Sequence, residues 1–480
     1  MNFRTVLPLL LILVIGYYVY NLYSRGQINL PGIQPLVTNP PTTPTTPTTP
    51  TTPTTPTTPT SPTTPTTPLV PISIEPASFA RAEQARVWQF VQDQKWAEAV
   101  TASDVWIAKN PTDALTRFAR DRAINELARA KTVTFGMSAP LTGALKQVGE
   151  AFLQGAFLAV NDINKAGGLK KDGVTSRINI RVLNDAGDRA TALNVASSFI
   201  ADKSVLGVVG PYSSSTLLAA APVYNSGLPV LAPAATNPRI SQAGEYIYRV
   251  APSDNQQGAS LARLVKSRGH KAVAVLFDEN DAYSKGLADA FTLEAKNIGL
   301  TTSPFKIELN KITQVTVGNY AVDAVFISGY TADVAAFAKL EAGYPQREVF
   351  AGDGAYGQDL FQQGGVNVEG VIVTTFWHAT LKDAKSKAFT KKFEALFGGG
   401  TPNANAMQAY DAMRTMIEAL SRAPKGSTHP VKDGLDTFRT RPGEGVTAPV
   451  KFDANGDVVG RPFVAIQAKN NKFVALGLAP

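Results

Sequence analysis

The sequence predicts an α/β protein with two lobes around a cleft, and three observations carry that reading. From Lys131 onward the hydrophobic pattern alternates between short strands and amphipathic helices. This is the order that builds a parallel sheet with helices on both faces. The alternation comes as two successive series, with a C-terminal part able to rejoin both. Twice in the first series a strand runs into a loop of Ser and Thr, at the position where open α/β sheets take up ligands.

The elements follow in chain order. Arg4 precedes an apolar run from Val6 to Tyr23, about 27 Å as a helix and near the hydrocarbon thickness of a bilayer. Residues 1–25 are expected to be a transmembrane signal anchor. A cleaved signal peptide is the rival reading, but Tyr17 to Tyr23 holds no small-residue cleavage site and reads instead as an interfacial aromatic belt. Arg4 on a short flank keeps the N-terminus inside and places the rest of the chain outside. Residues 26–75 are a linker, and 40–68 repeat Pro-Thr-Thr with nothing apolar to bury. Proline at every third position favours polyproline II, a stiff stalk of roughly 90 Å at about 3.1 Å per residue.

Residues 76–130 form a small α-helical module, with helices expected at Ala80–Asp93, Trp96–Lys109 and Asp113–Ala130. Trp96-Ala97-Glu98-Ala99-Val100, then Ala108 and Pro111, resembles a tetratricopeptide hairpin. A single repeat cannot bury its own face, so a cap on the head is expected instead of a peptide-binding superhelix.

The head spans 131–480. Its first series is strand Thr132–Ser138, helix Gln147–Lys165, strand Ile178–Leu183, helix Arg189–Ala201 and strand Val205–Val209. The second is helix Gln256–Ser267, strand Ala272–Phe277, helix Tyr283–Ile298, strand Ala324–Ser328 and helix Asp333–Glu341. Strand Val371–Thr374 precedes helices at 386–397 and 405–420. A final hairpin is expected to pair Pro449–Phe452 with Phe463–Ala468 around Asp453-Ala454-Asn455-Gly456-Asp457. Lobe 1 is expected at about 131–252 and 376–446, and lobe 2 at about 253–375 and 447–480.

Composition narrows the function classes. The 480 residues are 44% hydrophobic and 18% charged, with a net charge of +8 spread along the chain. The densest basic cluster, Lys382, Lys385, Lys387, Lys391 and Lys392, has the spacing of a solvated helix face. No basic run carries the interleaved aromatics of a nucleic-acid platform, so no nucleic-acid partner is expected. The chain has no cysteine, which excludes disulfides, thiolate chemistry and a lipid-modified cysteine anchor. His270, His378 and His429 stand apart without metal-ligand spacing. The Asp453 loop has Val464 where a calcium loop needs its bidentate acid. There is no Gly-x-Ser-x-Gly and no phosphate-binding Gly-x-x-x-x-Gly-Lys. No catalytic constellation, cofactor or metal is expected, and the protein is not read as an enzyme.

The cleft chemistry rests on two loops. Gly210-Pro211-Tyr212-Ser213-Ser214-Ser215-Thr216 joins a strand end to a helix start, where free N–H groups, the helix dipole and hydroxyls attract an anion. Plain N-capping by serine explains the same residues. Leu231-Ala232-Pro233-Ala234-Ala235-Thr236-Asn237-Pro238 offers a carbonyl at Ala234 and a hydroxyl and amide at Thr236. A zwitterion needs that mixture of donors and acceptors, because an unpaired buried charge costs several kcal/mol.

These two motifs, with Tyr248-Arg249-Val250-Ala251-Pro252-Ser253-Asp254, Asn184-Asp185, Gly329-Tyr330 and Asn455-Gly456-Asp457, resemble the type I periplasmic binding proteins. The similarity covers 131–480 and is nearest the leucine/isoleucine/valine-binding proteins and their amide- and urea-binding relatives. The resemblance implies two Rossmann-like lobes around a cleft, in a monomeric receptor for an amino acid or similar small polar solute. It further implies that Ser213 and Thr236 hold the ligand carboxylate, with backbone help near Ser214, and that Ala235 is among the ligand-binding residues. The Ala234 carbonyl and Asp353 then hold the ammonium. Asp254 matches a further cleft acid, and Tyr283 and Tyr330 match aromatics that close over the ligand, although a packed tyrosine explains each equally well. Three departures stand out: Val148 where an aromatic is common, Ser284 in place of glycine, and a short segment Pro304–Asp323. The implied partner is an ABC transporter permease, and the implied location is the cell membrane, single-pass, with the head in the periplasm or extracellular space. A sensor, or a scaffold regulating a cell-wall synthase through the same fold, is the alternative.

Overall fold

A computed structural model describes residues 82–312, 321–341 and 347–480. The expected anchor, the Pro/Thr linker and the start of the helical module lie outside the described residues. No helix among the described residues is long and apolar enough to cross a membrane.

Three helices lead in: α1 (Ala82–Gln92), α2 (Trp96–Lys109) and α3 (Ala114–Leu127). The Asp113 side chain caps α3 by accepting from the Thr116 amide, and it also takes the Trp106 indole N–H and the Gln84 amide. One carboxylate thus ties all three helices together. Their apolar side does not close on itself. Phe118 meets Phe157 of the head edge-to-face at 5.1 Å, and Asn125 donates to Asn179 at 2.7 Å.

In the first lobe, β1 (Thr132–Ala139), α4 (Lys146–Lys165), β2 (Leu169–Lys171), β3 (Val174–Asn184), α5 (Arg189–Ala201), β4 (Val205–Val209), α6 (Ser214–Tyr224), β5 (Val230–Ala232) and β6 (Ile247–Arg249) follow in order. The sheet order is β2-β3-β1-β4-β5-β6, parallel throughout except for the β2–β3 pair. Strands as apolar as Val205–Val209 suit a sheet covered on both faces.

The second lobe holds α7 (Asp254–Ser267), β7 (Ala272–Phe277), α8 (Ala282–Asn297), β8 (Thr301–Lys306), β9 (Ala324–Ser328), α9 (Thr331–Leu340), β10 (Glu348–Ala351), α10 (Asp359–Gly364) and β11 (Ile372–Thr375). The chain then returns to the first lobe with α11 (Ala384–Leu396), α12 (Ala404–Arg422) and α13 (Pro430–Asp436). Helix α12 lies so close on α4 that a Cβ at Gly155 would come within 1.9 Å of the Ala406 carbonyl oxygen. The last strands, β12 (Val464–Lys469) and β13 (Lys472–Leu478), complete the second sheet in the order β13-β12-β11-β10-β9-β7-β8.

Three segments cross between the lobes, and Ala251, Phe376 and Phe463, one from each, pack together where they cross.

The expected C-terminal hairpin is corrected. Phe463–Ala468 does not pair with Pro449–Phe452. Strand β12 pairs with β11 on one side and β13 on the other. The tight turn falls at Asn470 and Asn471, whose φ of 53° and 57° are left-handed, the conformation a two-residue hairpin turn requires and asparagine tolerates. Residues 449–458 instead stay on the first lobe, where Phe452 packs on Tyr248 and Phe438 and Asp457 pairs with Arg249. Strands β2, β6, β8, β10 and β13 had no place in the periodicity reading. Pro304 masks β8, which accommodates a proline because it is an edge strand.

Candidate functional site

Ser213, Thr236, Tyr330 and Asp353 each sit within a few residues of the carboxyl end of a parallel strand, β4, β5, β9 and β10 respectively. The first two belong to one lobe and the last two to the other, so the two sheets aim their loops at a common cleft.

On the first lobe, Gly210 permits the approach. Its φ is +110°, and a Cβ there would come within 2.0 Å of the Ser138 carbonyl oxygen. Ser213 is the N-cap of α6 and accepts from the Thr216 amide at 3.2 Å, so the capping reading describes its oxygen. Its oxygen also lies 2.9 Å from the Thr216 hydroxyl, which can itself donate to the Ser213 carbonyl. The Ser213 proton is therefore free for a ligand when Thr216 donates to Ser213 Oγ. The amides of Ser214 and Ser215 precede the first intrahelical bond, from Leu217 to Ser213, as at any helix start. Ser214 Oγ is committed elsewhere: it accepts from the amides of Thr236 and Asn237 at 3.2 and 3.0 Å. The Thr236 amide, expected to face a ligand, is thereby taken, and its hydroxyl, buried with no hydrogen-bond partner, is what remains. Ala234 and Ala235 are buried in the same loop.

On the second lobe, Tyr283 stands in the first turn of α8, which Asp281 caps. Its hydroxyl donates to Asp353 Oδ1 at 3.2 Å and accepts from the Gly354 amide at 2.9 Å. The Tyr283 and Tyr330 rings are 5.3 Å apart. Ser284, which replaces a glycine, is explained by what it binds: its hydroxyl donates to the Ser328 carbonyl and accepts from the Asp278 amide, fixing α8 to the end of β9.

Two acids stand here, Asp254 fully buried within the field of Arg249 and Asp353 half-buried. Burial pushes the Asp353 carboxyl up to about 7, offset in part by the Tyr283 hydroxyl and the Gln257 amide. Asp254 is raised well above the carboxylate range, by burial first and by the field of Asp353 second. Neither Asp254 oxygen makes a hydrogen bond, although the Thr236 hydroxyl is close enough to lower its pKa. Two neighbouring carboxyls with open acceptor positions suit a cationic group.

Several residues absent from the sequence reading bridge the lobes. Ser215 Oγ donates to Asp281 at 2.7 Å and accepts from the Ala282 amide at 3.0 Å. Arg189 donates to the Asn280 carbonyl at 2.5 Å, and the Asn237 side chain donates to the Ala282 carbonyl. These contacts hold the cleft closed. A groove of about 570 Å³ runs outside this seam past Arg189, Arg239 and Lys285, and Ser213, Asp353 and the tyrosines do not line it. Arg249 was legible as a motif residue but not in its role. It is fully buried, pairs through both Nε and Nη2 with Asp457, and donates to the carbonyls of Thr236 and Asn237. Tyr212, inside the first motif, rests edge-on against Phe152 at 5.6 Å and faces Tyr330 at 6.4 Å.

The family model for periplasmic binding proteins matches residues 132–472. A Leu/Ile/Val-binding protein homolog from Brucella melitensis is 28% identical over 356 residues, covering 72% of this chain and 93% of the relative. The leucine binding protein LivK of Thermotoga maritima has a TM-score of 0.66 at 26% identity, covering 72% of this chain and 99% of that one. The branched-chain amino acid transporter substrate binding protein LivJ of Streptococcus pneumoniae, solved in complex with isoleucine, has a TM-score of 0.65 at 25% identity, covering 73% and 100%.

Proposed function

This chain belongs to the periplasmic binding protein family, and from that premise we propose that it is a solute-binding receptor for an amino acid or a close polar relative. The observation that carries this reading is the opposed pairing across the cleft: hydroxyls and a helix N-terminus on one lobe, and the Asp353 carboxyl, with Asp254 near it, on the other. In this role Ser213, the Thr236 hydroxyl and the first amides of α6 hold the ligand carboxylate. Asp353, oriented by Tyr283, holds the ammonium together with the Ala234 carbonyl. Asp254 adds a second carboxyl beside Thr236, and Tyr330 covers the ligand from the second lobe. Binding is a population shift: a ligand touching both lobes stabilises the closed form, and no bond is made or broken.

Relatives named as transporter substrate-binding proteins support delivery to an ABC transporter permease. The apolar run at Val6–Tyr23 and the Pro/Thr stretch support tethering at the membrane with the head on the outer side. Monomeric action and the absence of catalysis belong to the same reading.

Titration calorimetry with a panel of amino acids, amides and urea tests the role. We expect saturable binding by at least one amino acid, and loss of about 100-fold or more in Asp353→Asn, which keeps the shape but removes the charge opposite a buried ammonium. If no member of the panel binds or raises the melting temperature, the receptor reading is wrong.

A further inference from the structure

The head-group contacts leave open which side chain the ligand carries. Tyr212 immediately precedes Ser213 in the loop assigned to the ligand carboxylate. Its ring is 5% exposed. It belongs to a row of rings that crosses the cleft, Phe152, Tyr212, Tyr330 and Tyr283, with successive centroids 5.6, 6.4 and 5.3 Å apart. Aromatic pairs at such separations are in contact. A branched alkyl group or a further ring between two faces needs them about 7 Å apart, two carbon contact distances. The row therefore has no opening for one. The field of Asp353 also reaches the Tyr212 hydroxyl, which sets this ring beside the ammonium end of the site as well as next to Ser213. On α4, Val148 lies one helical turn before Phe152, the ring against which Tyr212 rests.

We propose that Tyr212 is a specificity-determining residue that closes the side-chain end of the cleft, restricting this receptor to amino acids with side chains no larger than a methyl or hydroxymethyl group. Leucine, isoleucine and phenylalanine would have to displace Tyr212 from Phe152 and Tyr330. The inference rests on the receptor reading and goes beyond it, because the Brucella melitensis relative and LivJ are named for branched-chain ligands.

The test is calorimetry on the whole chain with alanine, serine, leucine and isoleucine. The native protein is expected to bind alanine or serine at least about tenfold more tightly than leucine. In Tyr212→Ala the preference should shift toward leucine by at least about tenfold, with alanine affinity changed far less. Tyr212→Leu, which keeps an apolar contact for Phe152, should shift the ratio in the same direction by a smaller factor. Leucine binding as tightly as alanine in the native protein would overturn the inference and leave the receptor reading standing. An unchanged ratio in the variants would do the same. If neither native protein nor variants bound any amino acid, the receptor reading would fall and this inference with it.

Discussion

Asp353 is a carboxyl that burial holds near pH 7 while its neighbours offer hydrogen bonds and no cation. Its folded pKa lies above its unfolded value of 3.8, so the folded state binds more protons than the unfolded state between those limits. Its contribution to stability is fully present below about pH 4 and is lost as pH rises through about 7. Asp254 shifts in the same direction. Thermal unfolding of the ligand-free protein should therefore show a falling melting temperature from pH 5 to pH 8. Asp353→Asn should flatten part of that slope, and an unchanged slope in the variant would remove Asp353 as the cause. The ligand has the opposite dependence. An ammonium prefers the ionised carboxylate, so affinity should rise from pH 5.5 to 8, and proton release on binding should appear as a dependence of the calorimetric heat on the buffer.

At the scale of elements, the N-termini of α6 and α8 meet across the cleft through Ser215, Asp281 and the Ala282 amide. The Ser215 hydroxyl, Asp281 and the Ala282 amide are not assigned to the ligand. Ser215→Ala leaves the Asp281 carboxylate and Ala282 amide without their partner and should lower the closed population. Apparent affinity falls with that fraction. We expect a loss of about three- to tenfold, with a larger radius of gyration in small-angle scattering of the ligand-free protein. Equal affinity and radius would show that the seam does not bias closure. Arg249 plays a different part. It joins the loop carrying Thr236 to Asp457 near the third crossing segment, with every donor engaged. Asp457→Ala strands a buried guanidinium and should cost about 3–5 kcal/mol in denaturant unfolding. A cost below about 1 kcal/mol would mean water reaches Arg249 in solution.

The whole head is two sheets with three crossings, and the three leading helices pack onto the first lobe through Phe118 and Asn125. That leaves the second lobe able to move without disturbing them. Phe118→Ala opens a cavity between α3 and α4 and should destabilise the protein by about 3–5 kcal/mol. Ligand affinity at a temperature where the protein stays folded should be nearly unchanged. A proportionate loss of affinity would instead couple the helical cap to closure.

The sequence by itself determined the alternation of strand and helix, the extent of the three leading helices to within a few residues, and the strand-end loops that carry Ser213 and Thr236. These follow from local periodicity and capping chemistry, which neighbouring residues settle among themselves. It also located Asp353, Tyr283 and Tyr330, through family motif alone. What only the tertiary structure decided was pairing over long separations: that β12 joins β11 and β13 rather than Pro449–Phe452, that Ser214 consumes the Thr236 amide, that Arg249 reaches Asp457, and that Tyr212 closes against Phe152 and Tyr330. Such pairings depend on which surfaces are brought together when two separate sheets close. A linear pattern records which residues are apolar or polar, and not which distant partner satisfies them.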